Sequence, residues 1–326
     1  MGLKLAATLL PSFSHFSEYN SDERLSCIRF NSAGARTDED FSKEISLLEE
    51  KRGSVPVFFD VKGRQLRVTK VYPYPDRLEL DLNHPIEVET PVVVLFKAGA
   101  DGALLKEVTN DGIHLVFDGG PEWMVEPYES LHIRHPSLKV LGPTFLEPEI
   151  KRIEKAKEAG FDGYYLSYVE TMKDVEELRE LVGKDKEIKL KIENQKGLMF
   201  LRREFYKQDG ISLVAARGDL YVELDKPHQI MEALRVIIDH DPQAQVGSRI
   251  MLSVAQEPVP SCSDFLELAW LYDIGYRDML LCDEICLKED LFTVAIEAFD
   301  AFRTSYEKER IRKRINLGKV LLKSLR

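Results

Sequence analysis

Residues 163–193 read GYYLSYVETMKDVEELRELVGKDKEIKLKIE. The stretch begins with the apolar run Gly163–Tyr168 and continues with Met172–Val182, whose apolar residues recur at helical spacing. It ends with a second apolar run, Ile188–Glu193. A strand, a helix and a strand in this order are the repeating unit of α/β proteins. This stretch therefore predicts two neighbouring strands of a largely parallel sheet.

The same alternation continues in both directions from this unit. The apolar runs are mostly continuous, which is typical of a parallel sheet covered by helices on both faces. Eight such runs favour a closed (β/α)8 barrel over an open sheet. The predicted strands are Lys4–Leu10, Ser26–Asn31, Val55–Val61, Gly163–Tyr168, Ile188–Glu193, Ser212–Ala216, Ile250–Ala255 and Asp278–Cys282.

The stretch from Arg64 to Gly142 interrupts this alternation, because it holds no good helix pattern. Short β-like pieces alternate there with turn signals such as Asn110-Asp111-Gly112. We expect a small β-barrel-like domain inserted after the third strand, closing as a lid about hinges near Arg64 and Gly142. The expected boundaries are 1–63 and 144–304 for the barrel, 64–143 for the β domain and 305–326 for a basic C-terminal helical extension. The β-like pieces are Leu66–Val71, Leu78–Leu82, Pro91–Phe96, Ile113–Phe117 and Ser130–Ile133.

The composition excludes some classes of partner. The chain has 326 residues and a formal net charge of −11. That charge argues against a general nucleic-acid binder and against a protein that binds anionic membranes. The four cysteines have no zinc-ribbon spacing and indicate reduced thiols. With no signal peptide and no segment long enough to span a membrane, we expect a cytoplasmic protein.

Charged and polar side chains lie at the ends of several predicted strands. Residues two apart on a strand share a face, so each pair can point into the barrel mouth, where barrel enzymes carry their active groups. Buried charges are costly unless they are paired or bind a metal. Structural ion pairs around the rim would explain any single pair, but four strand ends together favour a functional site. The residues are Arg29 with Asn31, Asp60 with Lys62, Lys191 with Glu193, and Asp219.

Two carboxylates on adjacent predicted strands, Glu193 and Asp219, suit Mg²⁺ or Mn²⁺. These hard cations take oxygen ligands and keep positions open for substrate and water. The turn at Gly218 leads into a helix and offers backbone N–H groups to a carboxylate or phosphate. Lys191 and Arg29 add positive charge. These residues predict a site for a small anionic substrate that chelates a metal.

Several segments carry a resemblance to a known family. Residues 191–197, KIENQKG, and 214–220, VAARGDL, are similar to the two signature segments of the pyruvate kinases, in the same order and separation. Residues 60–67, DVKGRQLR, resemble the family's segment at the third strand, from which its lid domain departs. Further similar segments are Arg29-Phe30-Asn31, Ser167-Tyr168-Val169 and Asn110-Asp111-Gly112.

The resemblance implies a role for each matching residue. Glu193 and Asp219 would hold Mg²⁺ or Mn²⁺. Lys191 would stabilise the phosphoryl group in transfer and the enolate, and Arg29 would contact phosphate. The other residues implied are Arg217, Gly218, Asp219 and Lys62 for the substrate, Asn31 and Asp60 for K⁺, Ser253 for the proton-transfer path and Asp111 in the lid.

The departures from the family pattern are concentrated around the nucleotide. Ser32-Ala33-Gly34 replaces the family's Ser-His-Gly and so removes a histidine, Glu170 stands where an arginine is expected, and the loop after Ser253 is shorter. The acidic residue that bears on monovalent-cation dependence has become Gln65. The family's C-terminal regulatory domain is not expected in this chain. K⁺ and ADP or ATP are therefore left open as ligands, and phosphoryl transfer to ADP is predicted to be weak or absent.

The leading hypothesis is a pyruvate kinase-like, Mg²⁺-dependent enzyme that acts on phosphoenolpyruvate, pyruvate or a related 2-oxo acid through an enolate. A lyase or aldolase would use the same metal and enolate site without a nucleotide. A pseudoenzyme that keeps the fold for binding or regulation is the third alternative. The expected partner is a small anionic substrate, with a homo-oligomer left open. His132 and His135 in the β domain are predicted to face solvent.

Overall fold

The computed structural model describes residues 2–257 and 259–324. Eight parallel strands pair in chain order, and the last pairs with the first, so that the sheet closes into a barrel. The predicted (β/α)8 barrel is thereby confirmed. The barrel strands are β1 (Lys4–Thr8), β2 (Leu25–Asn31), β3 (Val57–Val61), β12 (Gly163–Leu166), β13 (Glu187–Ile192), β14 (Ile211–Ala216), β15 (Gln245–Gly247) and β16 (Asp278–Leu280).

Helices follow the barrel strands, and several begin at residues that cap them. The side-chain oxygens of Thr37, Thr171 and Ser261 each accept a hydrogen bond from the backbone N–H three residues later. The residue at that position is an aspartate, and its carboxylate accepts from the backbone N–H of the cap residue. These capping boxes satisfy N–H groups that the first helical turn leaves free. The helices are α1 (Phe16–Tyr19), α2 (Asp38–Lys51), α3 (Glu147–Glu158), α4 (Met172–Val182), α5 (Gln195–Arg203), α6 (Arg217–Glu223), α7 (Ile230–His240), α8 (Cys262–Ile274), α9 (Asp283–Cys286) and α10 (Glu289–Ser324). Short 3₁₀ helices cover Ser32–Gly34, Lys97–Gly99, Asn110–Gly112, Pro227–Gln229 and Leu252–Ala255.

Two clusters of apolar side chains hold the barrel. The larger lies between the strands and the helices and includes Phe59 and Leu190. A smaller cluster fills the inside of the barrel, where Phe58 and Tyr165 pack edge to face with ring centroids 5.8 Å apart. Successive residues of a strand point to opposite faces, which explains why Phe58 and Phe59 belong to different clusters. The inside of the barrel is therefore a packed core beneath the mouth.

The seventh strand lies upstream of its predicted position. β15 covers Gln245–Gly247, and the predicted strand Ile250–Ala255 is wrong, because Leu252–Ala255 form a 3₁₀ helix. The chain leaves β15 with left-handed backbone at Ser248 and Arg249, whose φ values are 64° and 60°. Non-glycine residues rarely adopt such values, so nothing in this sequence marks the turn. A site residue assigned to the end of the predicted strand therefore lies beyond the end of the actual strand.

The inserted β domain lies between β3 and β12 and consists of two antiparallel sheets. Its strands are β4 (Val68–Pro73), β5 (Leu78–Leu82), β6 (Ile86–Glu87), β7 (Val92–Phe96), β8 (Asp101–Thr109), β9 (His114–Asp118), β10 (His132–Ile133) and β11 (Lys139–Val140). Six of them pair in the order β10-β7-β8-β9-β5-β4, and β6 pairs with β11. A bridge between Arg67 and Ser130 joins the two outer ends of the six-stranded sheet and makes it barrel-like. The predicted insertion of a small β domain after the third strand is confirmed.

Two chain crossings join the β domain to the barrel, and each has a glycine with positive φ, 53° at Gly63 and 85° at Gly142. Arg64 spans the two crossings. Its Nη1 donates to the carbonyl oxygen of Gly142 at 3.2 Å, and its Nη2 donates to Thr144 Oγ1 at 3.1 Å. Its Nε lies 3.4 Å from Asp174 Oδ1 at the start of α4. The hinges near Arg64 and Gly142 and the domain boundaries stay predictions.

Helix α10 extends from the barrel into the segment predicted as the basic extension, and its last described residue is Ser324. Residues 325 and 326 of that segment lie outside the described residues. Of the helices in the described parts of the chain, none is long and apolar enough to cross a membrane.

Candidate functional site

The polar strand ends meet at the mouth of the barrel around Asp60 in β3. This residue is 0% exposed, and its Oδ2 accepts from Arg29 Nε at 2.8 Å and from Lys62 Nζ at 3.0 Å. Its Oδ1 accepts from Ser167 Oγ at 3.2 Å and lies 3.7 Å from Lys191 Nζ. Burial on its own would raise the pKa of Asp60, but the charges of Arg29, Lys191 and Lys62 hold it far below its usual range. Asp60 is therefore an anion that gathers three cations.

Lys191, near the end of β13, points into the same cluster. Its Nζ is 3.0 Å from Glu193 Oε1 and donates to Ser167 Oγ at 2.9 Å. Glu193 is fully buried, and its Oε2 accepts from the backbone N–H of Tyr168 at 2.7 Å, whereas Oε1 has the Lys191 ammonium as its partner. Burial raises the pKa of Glu193 to about 7, with Lys191 opposing the shift and the Asp219 charge adding to it.

Asp219 lies in the first turn of α6, directly after β14, and its side chain is 28% exposed. Glu193 follows β13, the neighbouring barrel strand, and the charge of Asp219 acts on its pKa. Across residues 2–257 and 259–324, no group of three or more His, Cys, Asp or Glu side chains is arranged to hold a metal ion. Glu193 and Asp219 are the two carboxylates that the resemblance implies for a divalent cation, and this role stays a prediction.

The two residues that the resemblance implies for K⁺ are already bonded to a side-chain cation. Lys62 Nζ lies 2.7 Å from Asn31 Oδ1 and 3.0 Å from Asp60 Oδ2. Burial lowers the pKa of Lys62 to about 8 although Asp60 opposes the shift, so the ammonium stays mainly charged at neutral pH. Lys62 thus places a positive charge between Asn31 and Asp60 from within the chain.

Arg217 begins α6, but its guanidinium is bonded elsewhere. Its Nη2 donates to the carbonyl oxygen of Ser248 at 2.6 Å, and its Nη1 pairs with Glu267 on α8. These bonds hold α6 against the end of β15 and against α8, and the substrate contact predicted for Arg217 stays a prediction. A Cβ at Gly218 would lie 3.3 Å from Ser248 Oγ, so the α6 turn passes close to the end of β15.

The hydroxyl at the end of the seventh strand belongs to Ser248, and the prediction that placed Ser253 there is wrong. Ser253 Oγ donates to Asp264 and accepts from the backbone N–H of Ser261 at 2.9 Å, so it belongs to the cap of α8. The sequence signal for Ser248 was the short segment before it, which ends at Gly247 and forms a strand of only three residues.

The β domain contributes a side chain that sequence reasoning misplaced. His132 is 1% exposed and does not face solvent. Its Nδ1 lies 2.7 Å from Glu223 Oε1 on α6. Its neighbours Leu131 and Ile133 point to the opposite face of the strand, into the core of the β domain, so no local pattern signals that the face of His132 is covered. His135, which is half-buried, bonds Ser137 within the β domain.

Glu170, which stands where the family has an arginine, and Asp111 in the lid turn have different surroundings. Glu170 accepts from Asn194 Nδ2 at 2.8 Å and lies 3.6 Å from Lys196 Nζ. It lines a cavity of about 440 Å³ between the barrel and the β domain. Asp111 is exposed, in a turn whose Gly112 packs against Ile86 of the same domain. The roles predicted for these residues stay predictions.

The fold and the site together define a class: a (β/α)8-barrel protein whose mouth gathers Arg29, Lys62 and Lys191 around a buried aspartate, beneath an inserted β domain. Comparison with known proteins then gives the family resemblance. The family model described as pyruvate kinase, barrel domain, matches residues 129–269.

Three curated relatives agree with this match. The pyruvate kinase of Methanocaldococcus jannaschii is 26% identical over 302 residues, which are 86% of this chain and 64% of the relative. Those of Dictyostelium discoideum and Encephalitozoon cuniculi are 25% and 27% identical over 70% and 41% of this chain, and over 50% and 30% of the relatives. The chain thus spans less than two thirds of the length of the relatives it matches. The resemblance to the pyruvate kinase family is confirmed.

Proposed function

We propose that this chain is a Mg²⁺- or Mn²⁺-dependent enzyme that acts on phosphoenolpyruvate, pyruvate or a related 2-oxo acid through an enolate. The observation that supports this most is the placement of Lys191. Its ammonium lies between two buried carboxylates, Asp60 and Glu193, at the carboxyl end of a barrel strand, where barrel enzymes carry their active groups. The region that matches the family's barrel domain includes both Lys191 and Glu193.

The residues present fit a hard divalent cation. Glu193 is a fully buried carboxylate whose Oε1 has one partner, the Lys191 ammonium at 3.0 Å, and an ionised carboxylate oxygen has a further lone pair for a cation. Asp219 stands at the neighbouring strand end and supplies a second carboxylate. Glu193 and Asp219 would hold the ion, with substrate and water as its other ligands. The bound ion would polarise the substrate carbonyl and offset negative charge.

The chain's own groups would orient the substrate and stabilise its charge. Lys191 would stabilise the negative enolate oxygen, because a fixed ammonium acts strongly on developing charge in a site that excludes water. Arg29 would contact the phosphate of a phosphoenol substrate, and its ion pair with Asp60 already fixes its position. The first-turn N–H groups of Gly218 and Asp219 would bind the substrate carboxylate. The β domain would cover the mouth and exclude water.

Phosphoryl transfer to ADP is proposed to be weak or absent. Ala33, in place of the family's histidine, lines a cavity of about 350 Å³ with Arg36 and Arg67, and its methyl group cannot make the hydrogen bonds of an imidazole. Phosphoryl transfer depends on positioning and charge stabilisation, so a poorly held nucleotide lowers the rate directly. A lyase or aldolase reaction needs the metal and the enolate but no nucleotide, and this difference makes it the second candidate.

A homo-oligomer and a cytoplasmic location are proposed on separate observations. Tyr221, Met231 and Leu266 are exposed around a groove of about 390 Å³ between α6, α7 and α8. Clustered exposed apolar side chains are typical of interaction surfaces. Light scattering that finds only monomers would contradict the oligomer.

The cytoplasmic location is proposed from the cysteines. The four cysteines are free, three of them buried, as is common in reducing compartments.

Thermal melting with oxalate, a mimic of enolpyruvate, tests the proposed site. A ligand that binds only the folded state raises the melting temperature. We expect oxalate to raise it when Mg²⁺ is present and not otherwise, and Glu193→Gln to abolish the effect. Asp283→Asn is a suitable control, since Asp283 is a half-exposed carboxylate near the same mouth. An equal shift without Mg²⁺, or in Glu193→Gln, would contradict the proposal.

A coupled assay separates the kinase from the alternatives. Pyruvate released from phosphoenolpyruvate and ADP is reduced by lactate dehydrogenase, with Lys191→Met as the control. We expect little or no turnover. A rate of roughly 1–100 per second, typical of kinases and abolished by Lys191→Met, would show that phosphoryl transfer is retained. Absence of both oxalate binding and turnover would favour the pseudoenzyme.

A further inference from the structure

The chain leaves the barrel for the β domain directly after β3, through a turn at Lys62 and Gly63. The backbone of Gly63 is left-handed, with a φ value of 53°, and a Cβ there would lie 3.0 Å from the carbonyl oxygen of Ser167. Glycine adopts such a turn without strain. Lys62 places its Nζ 2.7 Å from Asn31 Oδ1 and 3.0 Å from Asp60 Oδ2. The turn therefore adjoins the candidate site.

One carboxylate of the barrel holds both N–H groups of this turn. Glu149, in the first turn of α3, accepts hydrogen bonds at Oε1 from the backbone N–H groups of Lys62 and Gly63, the second at 3.2 Å. On the other side of the turn, the carbonyl oxygen of Gly63 accepts from Nε2 of His84, at 3.1 Å. His84 belongs to the β domain and is 0% exposed. The barrel thus fixes the donors of the turn, and the β domain fixes an acceptor.

Helix α3 has two carboxylates in its first turn, and they have different partners. Glu147 is exposed and pairs with Lys151 of the same helix, at 2.7 Å. Glu149 instead reaches the end of β3, where two backbone N–H groups need an acceptor. A negative charge in the first turn stabilises a helix whichever residue carries it. The bonds to Lys62 and Gly63 are therefore what distinguishes Glu149 from Glu147.

We propose that Glu149 is a positioning residue for the proposed reaction: its carboxylate fixes the backbone of Lys62 and thereby keeps the Lys62 ammonium at the substrate site. The proposal rests on the proposed function, because it takes Lys62 as a residue that binds the substrate. The ammonium of a lysine ends a flexible stem of four carbons. Its place between Asn31 and Asp60 therefore depends on where the stem begins, and that is the backbone which Glu149 holds.

Two substitutions separate the hydrogen bonds of Glu149 from its charge. In Glu149→Gln the side-chain oxygen can still accept from both N–H groups, although the charge is lost. In Glu149→Asp the charge stays in the first turn of the helix, where aspartate is favoured, but the shorter side chain draws the carboxylate away from the turn. Positioning requires tighter substrate binding in Glu149→Gln than in Glu149→Asp, and a role of the charge alone requires the opposite order. The matched control is Glu147→Asp, which shortens the exposed carboxylate of the same helical turn.

The test is calorimetric titration of the full chain with oxalate at saturating Mg²⁺, with a thermal melt of each variant. Lys62→Met should raise the oxalate dissociation constant by roughly tenfold, which is what one interaction with a charged group typically contributes. Glu149→Asp should raise it too, and at most as far as Lys62→Met does, because Glu149 acts through Lys62. Glu149→Gln and Glu147→Asp should bind oxalate as the wild type does.

The double variant gives a readout that a purely structural role would not move. In Lys62→Met no ammonium is left to position, so adding Glu149→Asp should weaken oxalate binding no further. An additive loss in the double variant, or binding in Glu149→Gln weaker than in Glu149→Asp, would overturn the proposal. If Glu149→Asp fails to fold, Glu149→Gln decides, and weakened oxalate binding in that variant would overturn the proposal.

The same titrations separate this inference from the proposed function. If the wild type binds oxalate only with Mg²⁺, but Lys62→Met or Glu149→Asp binds it as tightly, only the inference fails. If the wild type binds no oxalate, both fail.

Discussion

Asp60→Asn is expected to destabilise the protein strongly. Asp60 is 0% exposed and is the shared partner of Arg29, Lys62 and Lys191. The substitution keeps the shape but removes the negative charge, which leaves cations buried without their partner. Breaking a buried ion pair in this way typically costs about 3–5 kcal/mol. The cost should not exceed this range, because Glu193 still neutralises part of the charge of Lys191.

Dividing this lost free energy of unfolding by the entropy of unfolding gives the expected fall in melting temperature. For 326 residues that entropy is about 0.7 kcal/mol per kelvin. The midpoint in calorimetry near neutral pH should therefore fall by about 4–7 °C. The matched control is Asp283→Asn, whose carboxylate also pairs with Arg29, at 3.3 Å, but is 51% exposed. Exposed pairs contribute about 0–1 kcal/mol, so its midpoint should change by less than about 2 °C.

The pKa of Asp60 determines how the stability difference between wild type and Asp60→Asn depends on pH. The pKa of Asp60 is lowered in the folded protein, so its contribution is present above its unfolded pKa of about 3.9 and is lost as the pH falls toward the folded value. The gap between wild type and Asp60→Asn should therefore narrow in acid. A midpoint in Asp60→Asn within a degree of wild type at neutral pH, or a drop as large in Asp283→Asn, would refute the reasoning.

Three further outcomes are expected. The pKa values of Glu149, in α3, and of Glu193 are raised to about 7, mainly by burial. The metal-free protein should therefore lose stability as the pH rises from about 4.5 to 7. Mg²⁺ affinity should rise over the upper part of the same pH range, as the Glu193 carboxylate ionises. Calorimetric melts at a series of pH values measure the stability, and Mg²⁺ titrations at the same pH values measure the affinity. A Mg²⁺ affinity that does not change with pH would contradict the expected role of Glu193. The ammonium of Lys62 already lies between Asn31 and Asp60, so exchanging K⁺ for tetramethylammonium should leave oxalate binding unchanged, while Lys62→Gln should create a K⁺ requirement. A K⁺ requirement already present in the wild type would contradict this. Ser248→Ala should slow exchange of pyruvate methyl protons with deuterium without lowering the melting temperature, whereas Ser253→Ala should destabilise by about 1 kcal/mol and leave exchange intact; the reverse pattern would restore Ser253 to the site.

Much of the barrel could be predicted because buried parallel strands appear as continuous apolar runs. The predicted strand Val55–Val61 includes the observed strand Val57–Val61, which is buried at every position. The bounds of Met172–Val182 match because a capping box marks where this helix begins. In the β domain, Asp101–Thr109 was missed. Its exposed positions include Gly102, Lys106 and Glu107, residue types with low strand propensity, and pairing with the neighbouring strands β7 and β9 stabilises it.

The site was predictable as far as it depends on strand geometry. Pairs spaced two apart share a face, so the ends of β2, β3 and β13 could be expected to meet. The role of Lys62 as an internal cation depends on side-chain packing that periodicity does not describe. Ser248 lies beyond an unusual left-handed turn. His132 reaches the barrel only because the β domain docks on α6, and no local pattern encodes contact between two domains.

The proposed metal and enolate site can be tested most directly by anomalous diffraction at the manganese absorption edge, from a crystal soaked with Mn²⁺ and oxalate. We predict one manganese peak bound by Glu193 and Asp219. Oxalate oxygens should complete its coordination, with Lys191 Nζ within hydrogen-bonding distance of the oxalate. Manganese bound elsewhere, or oxalate bound at the mouth without either carboxylate on the metal, would contradict the proposed site.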